Sequence, residues 1–455
     1  VGRNGPLLIV GVAAVVAGLI VGVGLVEDSA AFIPLTLEFL LLTGVTFGFT
    51  RTGDDPDTVR FLTRVVIVAI ALRVGGMIVV YGALDPGFFA SDVNSYAARG
   101  AEVAAWWRGG PESQFASRLQ VGYEYLNAAF ILAVGDTEYG PAVLNLFAGV
   151  WTCLIAHAIG TRCFSERVGR VAAVLTAVFP SMVLWSILNI RDALATTLIS
   201  GLILLAVRAY GQVRAKDLAI FLVGAFLLTT LRDYMGILLV AGLTLGYVAA
   251  ARPGRLFSTF VMGTVLALIV FFMLERLEVL SPDVIEDPFS SAAAMRRGLQ
   301  QDFQGGLAGS SFGEGIDTST FGGAIRYLPL GLVYFLFAPF PWAISSVLQL
   351  ITLPEVLLWY ALVPFTLIGL RDSFRREYPA TLLIIGVLAL SVSSYALVEG
   401  TFGTAYRHRS QFLPLFFIFA ARGLVSWWTA RAEDRRRRRM RALDARAALL
   451  QPRRD

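Results

Sequence analysis

The sequence predicts an all-α fold, a polytopic transmembrane helix bundle of about twelve spans carrying juxtamembrane helices on its outer face. Three observations carry that expectation. Apolar runs of roughly twenty residues recur along the chain, the length a helix needs to cross the hydrocarbon core at about 1.5 Å per residue. The composition is 56% hydrophobic and only 16% charged over 455 residues, with a mean hydropathy of +0.69, outside the range of water-soluble domains. The arginines gather at the ends of alternate runs, where they mark a cytoplasmic side by the positive-inside rule.

Taken in order, Leu7 to Val26 reads as a first span, retained because no small-residue cleavage site follows it. Phe32 to Thr50 returns to Arg51, Arg60 and Arg64, and Phe61 to Gly82 leads out. A polar loop follows, Asp85 to Tyr125, in which Ser91 or Asp92 can cap a helix running to about Trp107. Its Trp106-Trp107 pair suits a membrane interface. Val121 to Gly135 is too short to span and reads as interfacial or re-entrant. Spans are then expected at Pro141 to Ile159, Val171 to Leu188, Ala193 to Val207, Leu218 to Leu231, Met235 to Ala250 and Phe257 to Leu274. A second outer loop runs from Glu275 to Arg326, with a Gly-rich tract too poor in apolar residues to fold alone. Tyr327 to Thr352, interrupted by Pro329, Pro339 and Pro341, is expected to be a broken or re-entrant pair. Pro354 to Leu370, Thr381 to Leu397 and Phe412 to Trp428 complete the set, and the tail with Arg435 to Arg439 lies against anionic headgroups.

This gives two additional N-terminal helices in residues 1–60, a main transmembrane domain in 61–430 with outer loops 83–140 and 275–353, and a basic tail in 431–455. Both termini are expected in the cytoplasm of a bacterial plasma membrane. The formal net charge of +5 does not call for a nucleic-acid partner, because the basic residues sit at span ends. Cys153 and Cys163 lie along one helix about 15 Å apart and cannot pair. His157 and His408 are too few and too separated for a histidine metal site. A divalent metal remains compatible with the carboxylates, but no cofactor is implied.

The outer turns collect Asp92, Arg118, Glu124, Arg191, Asp192, Arg232, Asp233, Arg326, Arg407 and Arg409. Arginine on an outer face runs against the charge rule and suits an anionic ligand, since guanidinium offers forked, permanently charged donors. Plain Arg-Asp pairing at the helix ends, Arg191-Asp192 and Arg232-Asp233, is the competing explanation. Asp92, Glu124 and Asp192 are the candidate catalytic carboxylates, able to activate a hydroxyl as general bases. Capping alone also explains an Asp at a helix start. Tyr96, Arg191, Arg232, Arg326, Arg407, His408 and Arg409 are the candidates for binding substrate or a donor phosphate. Within the membrane, Glu38 and Arg73 lie at similar depth and are expected to pair.

The order of these features resembles the GT-C superfamily of integral-membrane glycosyltransferases, especially bacterial relatives of the protein O-mannosyltransferases and lipid A aminoarabinose transferases. The matching pieces are Arg73 in ALRVGG, the acidic motif Asp92-x-x-x-Tyr96, the short apolar helix ending at Gly135 and the NLFAGV run. FPSMVLWS, Arg191-Asp192, YLPLGLVYFLFAPFPW and TAYRHRSQFLPLFFIFAARGL follow in the same order. The resemblance covers Phe61 to Leu424. Where family members often carry a Pro-rich segment before the short helix, this chain reads RLQVGYEY.

The resemblance implies a sugar donor linked to polyprenyl phosphate, transfer to a hydroxyl acceptor (glycan, lipid or protein) on the outer face, and a role in cell-envelope polysaccharide biosynthesis. It places the base on the first-loop acidic residue, here Asp92, and a basic residue at the donor phosphate. A polysaccharide polymerase or ligase acting on lipid-linked oligosaccharide would use the same arginines, with His408 as participant. A secondary transporter is the reading from another class. Few ionisable residues lie inside the spans and the halves show no repeat, which disfavours it.

Overall fold

The computed structural model describes residues 29–51, 55–90, 92–115, 121–135, 139–210, 212, 214–232, 234–251, 287–304, 311–344, 346–375 and 379–450. Its helices are α1 (Ser29–Thr50), α2 (Pro56–Ala83), α3 (Pro86–Phe89), α4 (Asp92–Trp107), α5 (Gly122–Val134), α6 (Tyr139–Cys163) and α7 (Glu166–Val178). They continue with α8 (Pro180–Ile187), α9 (Asp192–Ala209), α10 (Ala215–Leu231), α11 (Met235–Ala250), α12 (Pro288–Gln304) and α13 (Phe321–Phe337). The last four are α14 (Val347–Arg375), α15 (Pro379–Val398), α16 (Phe402–Ser410) and α17 (Leu413–Leu450). Among the described residues the only β pairing is an isolated bridge between Ser311 and Thr401.

Seven described helices are long and apolar enough to cross a membrane, and eight if the bent pair α7–α8 is one span. The expected twelve are therefore not reached among the described residues. Two expected spans, Leu7 to Val26 and Phe257 to Leu274, lie outside the described residues. Two others, α10 and α11, are only 17 and 16 residues long. The expected span Val171 to Leu188 is broken where Pro180 interrupts the hydrogen-bond ladder, bending the chain by 56°. The segment at Val121 is, as expected, a short helix of 13 residues.

Local chemistry fixes the helix starts. Asp55 accepts from the amides of Asp57 and Thr58 ahead of Pro56. Ser165 caps α7 through Val168, and Thr401 caps α16 through Thr404. Between helices, close backbone approach replaces the hydrophobic driving force that lipid removes. A methyl group added at Gly369 of α14 would strike the Phe419 carbonyl of α17, and one at Gly423 would strike the Phe365 carbonyl. These contacts place α14 and α17 side by side and antiparallel, since Gly369 meets Phe419 and Gly423 meets Phe365.

Arg73 corrects one expectation. It is fully buried and does not pair with Glu38. Its Nε donates to Ser186 Oγ (2.9 Å), and its two Nη atoms donate to the carbonyls of Ala69, Ala177 and Met182 (3.2 Å each). The break at Pro180 leaves carbonyls at the end of α7 without helical partners, and the guanidinium fills that gap. The Glu38 carboxylate makes no hydrogen bond among the described residues.

The Pro-interrupted stretch is broken after α13 as expected, but its last residues belong to the next helix, so the span expected from Pro354 begins earlier. Helix α14 starts at Val347 and continues through Pro354 and Pro364. Helix α13 ends at Phe337 inside protein, and side chains take its terminal carbonyls. Arg409 Nη1 donates to Leu336 O (2.7 Å) and Ala338 O (2.9 Å), Trp359 to Leu336 O (2.8 Å) and Tyr360 to Phe337 O (2.6 Å). A helix C-terminus buried at membrane depth requires such partners.

Candidate active site

Four helix ends meet at one point: the start of α4, the start of α9, the end of α10, and α16. Helix α4 begins at Asp92 and ends at Trp107, as the sequence suggests. The Asp92 carboxylate turns away from its own helix. Its Oδ2 accepts from Arg407 Nη1 at 2.7 Å. Arg407 also donates to Asp192 Oδ2, from Nε at 2.8 Å and Nη2 at 2.6 Å. Asp192 Oδ1 accepts from Arg232 Nη2 and from Gln411 Nε2, both at 2.6 Å. A single guanidinium therefore joins the two aspartates.

The aspartates differ in environment. The Asp192 side chain is 1% exposed and takes four hydrogen bonds, whereas that of Asp92 is 49% exposed. Asp92 Oδ1 has no hydrogen-bond partner among the described residues and stays open to a ligand. Burial pushes the Asp92 carboxyl up, but the Arg407 charge and hydrogen bond outweigh it and hold the group below its ordinary value. Arg407 itself is held above its ordinary value, because Asp192 and Asp92 outweigh the cost of its burial. Asp192 sits in a structural position and anchors Arg407 and Arg232. It also edges a cavity lined by hydroxyls, including Thr152, Ser181, Ser186 and Ser410. Asp92 is not among the residues that line it.

The turn carrying Arg191 and Asp192 is fastened from behind by amides that the sequence reading missed. Asn145 Nδ2 donates to the carbonyls of Leu188 (2.8 Å) and Ile190 (2.7 Å) and to the Tyr123 hydroxyl (2.9 Å). Tyr123 donates to Asn189 Oδ1, and Asn189 donates to Asn127 Oδ1, each at 2.8 Å. All four side chains are buried. The available signal was three asparagines placed in or beside apolar runs, where an amide must find partners.

The other expected residues fall into place around this network. Tyr96 is buried edge-on against Tyr123, with centroids 4.9 Å apart. Its ring lies 5.8 Å beneath the Arg191 guanidinium, so it supports an arginine and is not free to stack on a sugar. Trp107 stacks on Tyr125. Glu124 is buried beside Arg99, 3.4 Å away, and joins none of the bonds around Asp92. His408 pairs through Nδ1 with Glu399, whose other oxygen accepts from Thr404. Burial lowers the His408 pKa, against the opposing pull of the Glu399 carboxylate. Arg409 caps α13 and Arg326 is exposed, so neither reaches the aspartates. Arg118 and Asp233 lie outside the described residues. Among those described, no three His, Cys, Asp or Glu side chains converge, and no metal-ligand set can be named.

Residues 121–274 match the family model described as dolichyl-phosphate-mannose-protein mannosyltransferase. That segment falls inside the stretch that resembles the GT-C superfamily, and the match bears the resemblance out. The described residues form an all-α bundle in which seven helices are long and apolar enough to cross a membrane. No curated protein sequence matches the chain. Among solved structures, the chain is similar to the Archaeoglobus fulgidus oligosaccharyltransferase in the apo form, at 14% identity and a TM-score of 0.46, over 81% of this chain and 50% of that one. It is also similar to the same enzyme tethered to an acceptor peptide containing the NVT sequon, at 14% identity and 0.47, over 81% and 49%. A third is the A. fulgidus oligosaccharyltransferase AglB in complex with an inhibitory peptide and a dolichol-phosphate, at 15% and 0.48, over 81% and 50%. The chain thus spans about half the length of the solved structures it matches.

Proposed function

We propose that this protein is a membrane glycosyltransferase that moves a sugar from a polyprenyl-phosphate-linked donor to a hydroxyl acceptor on the outer face. The family match supports the class of reaction. One observation carries the site: Asp92 is held by Arg407 through one carboxylate oxygen only, while the other is open. In this scheme Oδ1 of Asp92 takes the acceptor proton as the acceptor oxygen attacks the anomeric carbon. The bond from that carbon to the phosphate oxygen breaks, its electron pair leaves with polyprenyl phosphate, and a single displacement inverts the anomeric centre. Asp192, Arg232 and Gln411 act on the reaction through Arg407, which they hold in place.

The reaction class is tested with purified protein in proteoliposomes supplied with a polyprenyl-phosphate sugar carrying a radiolabel. The proposal expects label to leave the donor and polyprenyl phosphate to appear. Consumption of a nucleotide sugar with the lipid-linked donor untouched would overturn it.

A further inference from the structure

We infer that His408 binds substrate in this site, its Nε2 accepting a hydrogen bond from a sugar hydroxyl, with Glu399 as the positioning residue behind it. The assignment rests on the function proposed above. The imidazole follows Arg407 in sequence, and the charges of Arg232 and Asp192 are felt at it. Its Nδ1 donates to Oε1 of the buried Glu399. The other Glu399 oxygen accepts from Thr404, whose hydroxyl also meets that of Thr401 at 2.7 Å. The turn carrying Glu399 is tied to the second outer loop, where the Phe312 amide donates to Gly400 O at 2.9 Å and Thr401 bridges Ser311. A fixed acceptor at Nδ1 keeps a proton there, so in the neutral ring Nε2 carries the lone pair.

The protein leaves that lone pair unused. Nε2 makes no hydrogen bond among the described residues and is not sealed from solvent. Along α16, Gly403, Thr404, Arg407 and His408 keep some exposure, while its other side chains are buried. Those four share one face of the helix. From that face Arg407 reaches the half-exposed Asp92, and a methyl group added at Gly403 would meet no atom within 4 Å. His408 therefore stands on the side of α16 that meets Asp92, with room beside it.

The chemistry selects the group that binds. A lone pair needs a donor, which a sugar hydroxyl supplies and an ionised phosphate does not. The hydroxyl belongs to the transferred sugar or to the acceptor, and the two sources give different readouts.

The test titrates polyprenyl phosphate, with and without its sugar, into purified His408→Phe. Single-turnover release of polyprenyl phosphate from the labelled donor is followed alongside, with a native membrane extract as acceptor. If the hydroxyl is on the transferred sugar, affinity for the sugar-bearing donor falls roughly two- to tenfold, the range for one hydrogen bond. Affinity for bare polyprenyl phosphate then stays at the wild-type level. If the hydroxyl is on the acceptor, both affinities stay and release slows by the same factor. His408→Gln keeps an acceptor oxygen and should lie nearer wild type in both cases. Glu399→Gln should weaken the same step and add nothing to His408→Phe in the double variant, because it acts through the imidazole. Additive losses would remove Glu399 from the assignment. Thermal unfolding reports whether His408→Phe keeps the fold; should it not, His408→Asn, too short to reach, serves in the same measurements. Wild-type affinities and release in the folded variant would overturn the role of His408 and leave the proposed function standing. Equal weakening of donor and bare polyprenyl phosphate would also overturn it, since an imidazolium would then be holding phosphate. A wild-type protein that releases no polyprenyl phosphate would overturn both.

Discussion

Arg407 donates to Asp92 across 2.7 Å while its other two nitrogens hold Asp192, so a residue of α16 fixes the start of α4 against the start of α9. Its side chain is only 11% exposed and that of Asp192 is 1% exposed. Arg407→Gln leaves Asp192 with only Arg232 and Gln411 and removes the partner of Asp92, and is expected to destabilise the protein by about 1.5–3 kcal/mol, the range for losing hydrogen bonds to charged groups. Unfolding in detergent measures it, and a melting temperature equal to wild type would contradict the pairing.

The same pair sets an acid limit. Asp92 has a folded-state pKa below its ordinary 3.8, so its contribution to stability is present above that value and is lost as pH falls through the lowered one. Stability should therefore decline below about pH 4, and the part of that decline due to Asp92 should be absent or reversed in Arg407→Gln, where burial acts on Asp92 without its main counter-charge and raises its folded-state pKa. Denaturant midpoints measured from pH 6 down to pH 3 for both proteins report the shift.

Glu38 and Arg73 should behave independently. Arg73 bonds to Ser186 and three carbonyls, and none of these partners involves Glu38. Arg73→Ala is expected to cost several kcal/mol, since it leaves the acceptors at the Pro180 break unpaired in a dry interior. The double variant Glu38→Gln with Arg73→Ala should be additive within about 0.5 kcal/mol. A larger coupling energy would restore the ion pair.

Asn145→Ala removes the donor that serves Leu188 O, Ile190 O and the Tyr123 hydroxyl. A loss of about 1–3 kcal/mol is expected, together with weaker transfer, because the turn bearing Arg191 and Asp192 loses its backing. If stability falls while donor affinity and rate stay at wild-type levels, the network is structural only.

Much of this arrangement was legible in the residues. Helix α4 follows from an acidic start and an aromatic end, and the short helix α5 from a run too brief to span. Hydropathy alone does not show that Pro180 ends one helix and starts another, because both halves are apolar. It also does not show which arginine meets which carboxylate. Asp192 and Arg191 are neighbours in sequence, yet Asp192 bonds across the bundle to Arg232, Arg407 and Gln411, and Arg191 turns to Tyr96. Such choices depend on long-range packing. Glu124 drew attention as a polar residue in an apolar helix, and its neighbour Tyr123 proved to be the one tied to the site.

The most direct measurement is the single-turnover rate of sugar transfer by Asp92→Asn, with donor binding and melting temperature read on the same preparation. Asparagine keeps the size of the side chain and removes the proton acceptor. The account predicts a folded protein that still binds polyprenyl-phosphate donor and transfers about 10² to 10⁴ times more slowly, the usual loss for a general base. Transfer at the wild-type rate by that folded, donor-bound variant would contradict it.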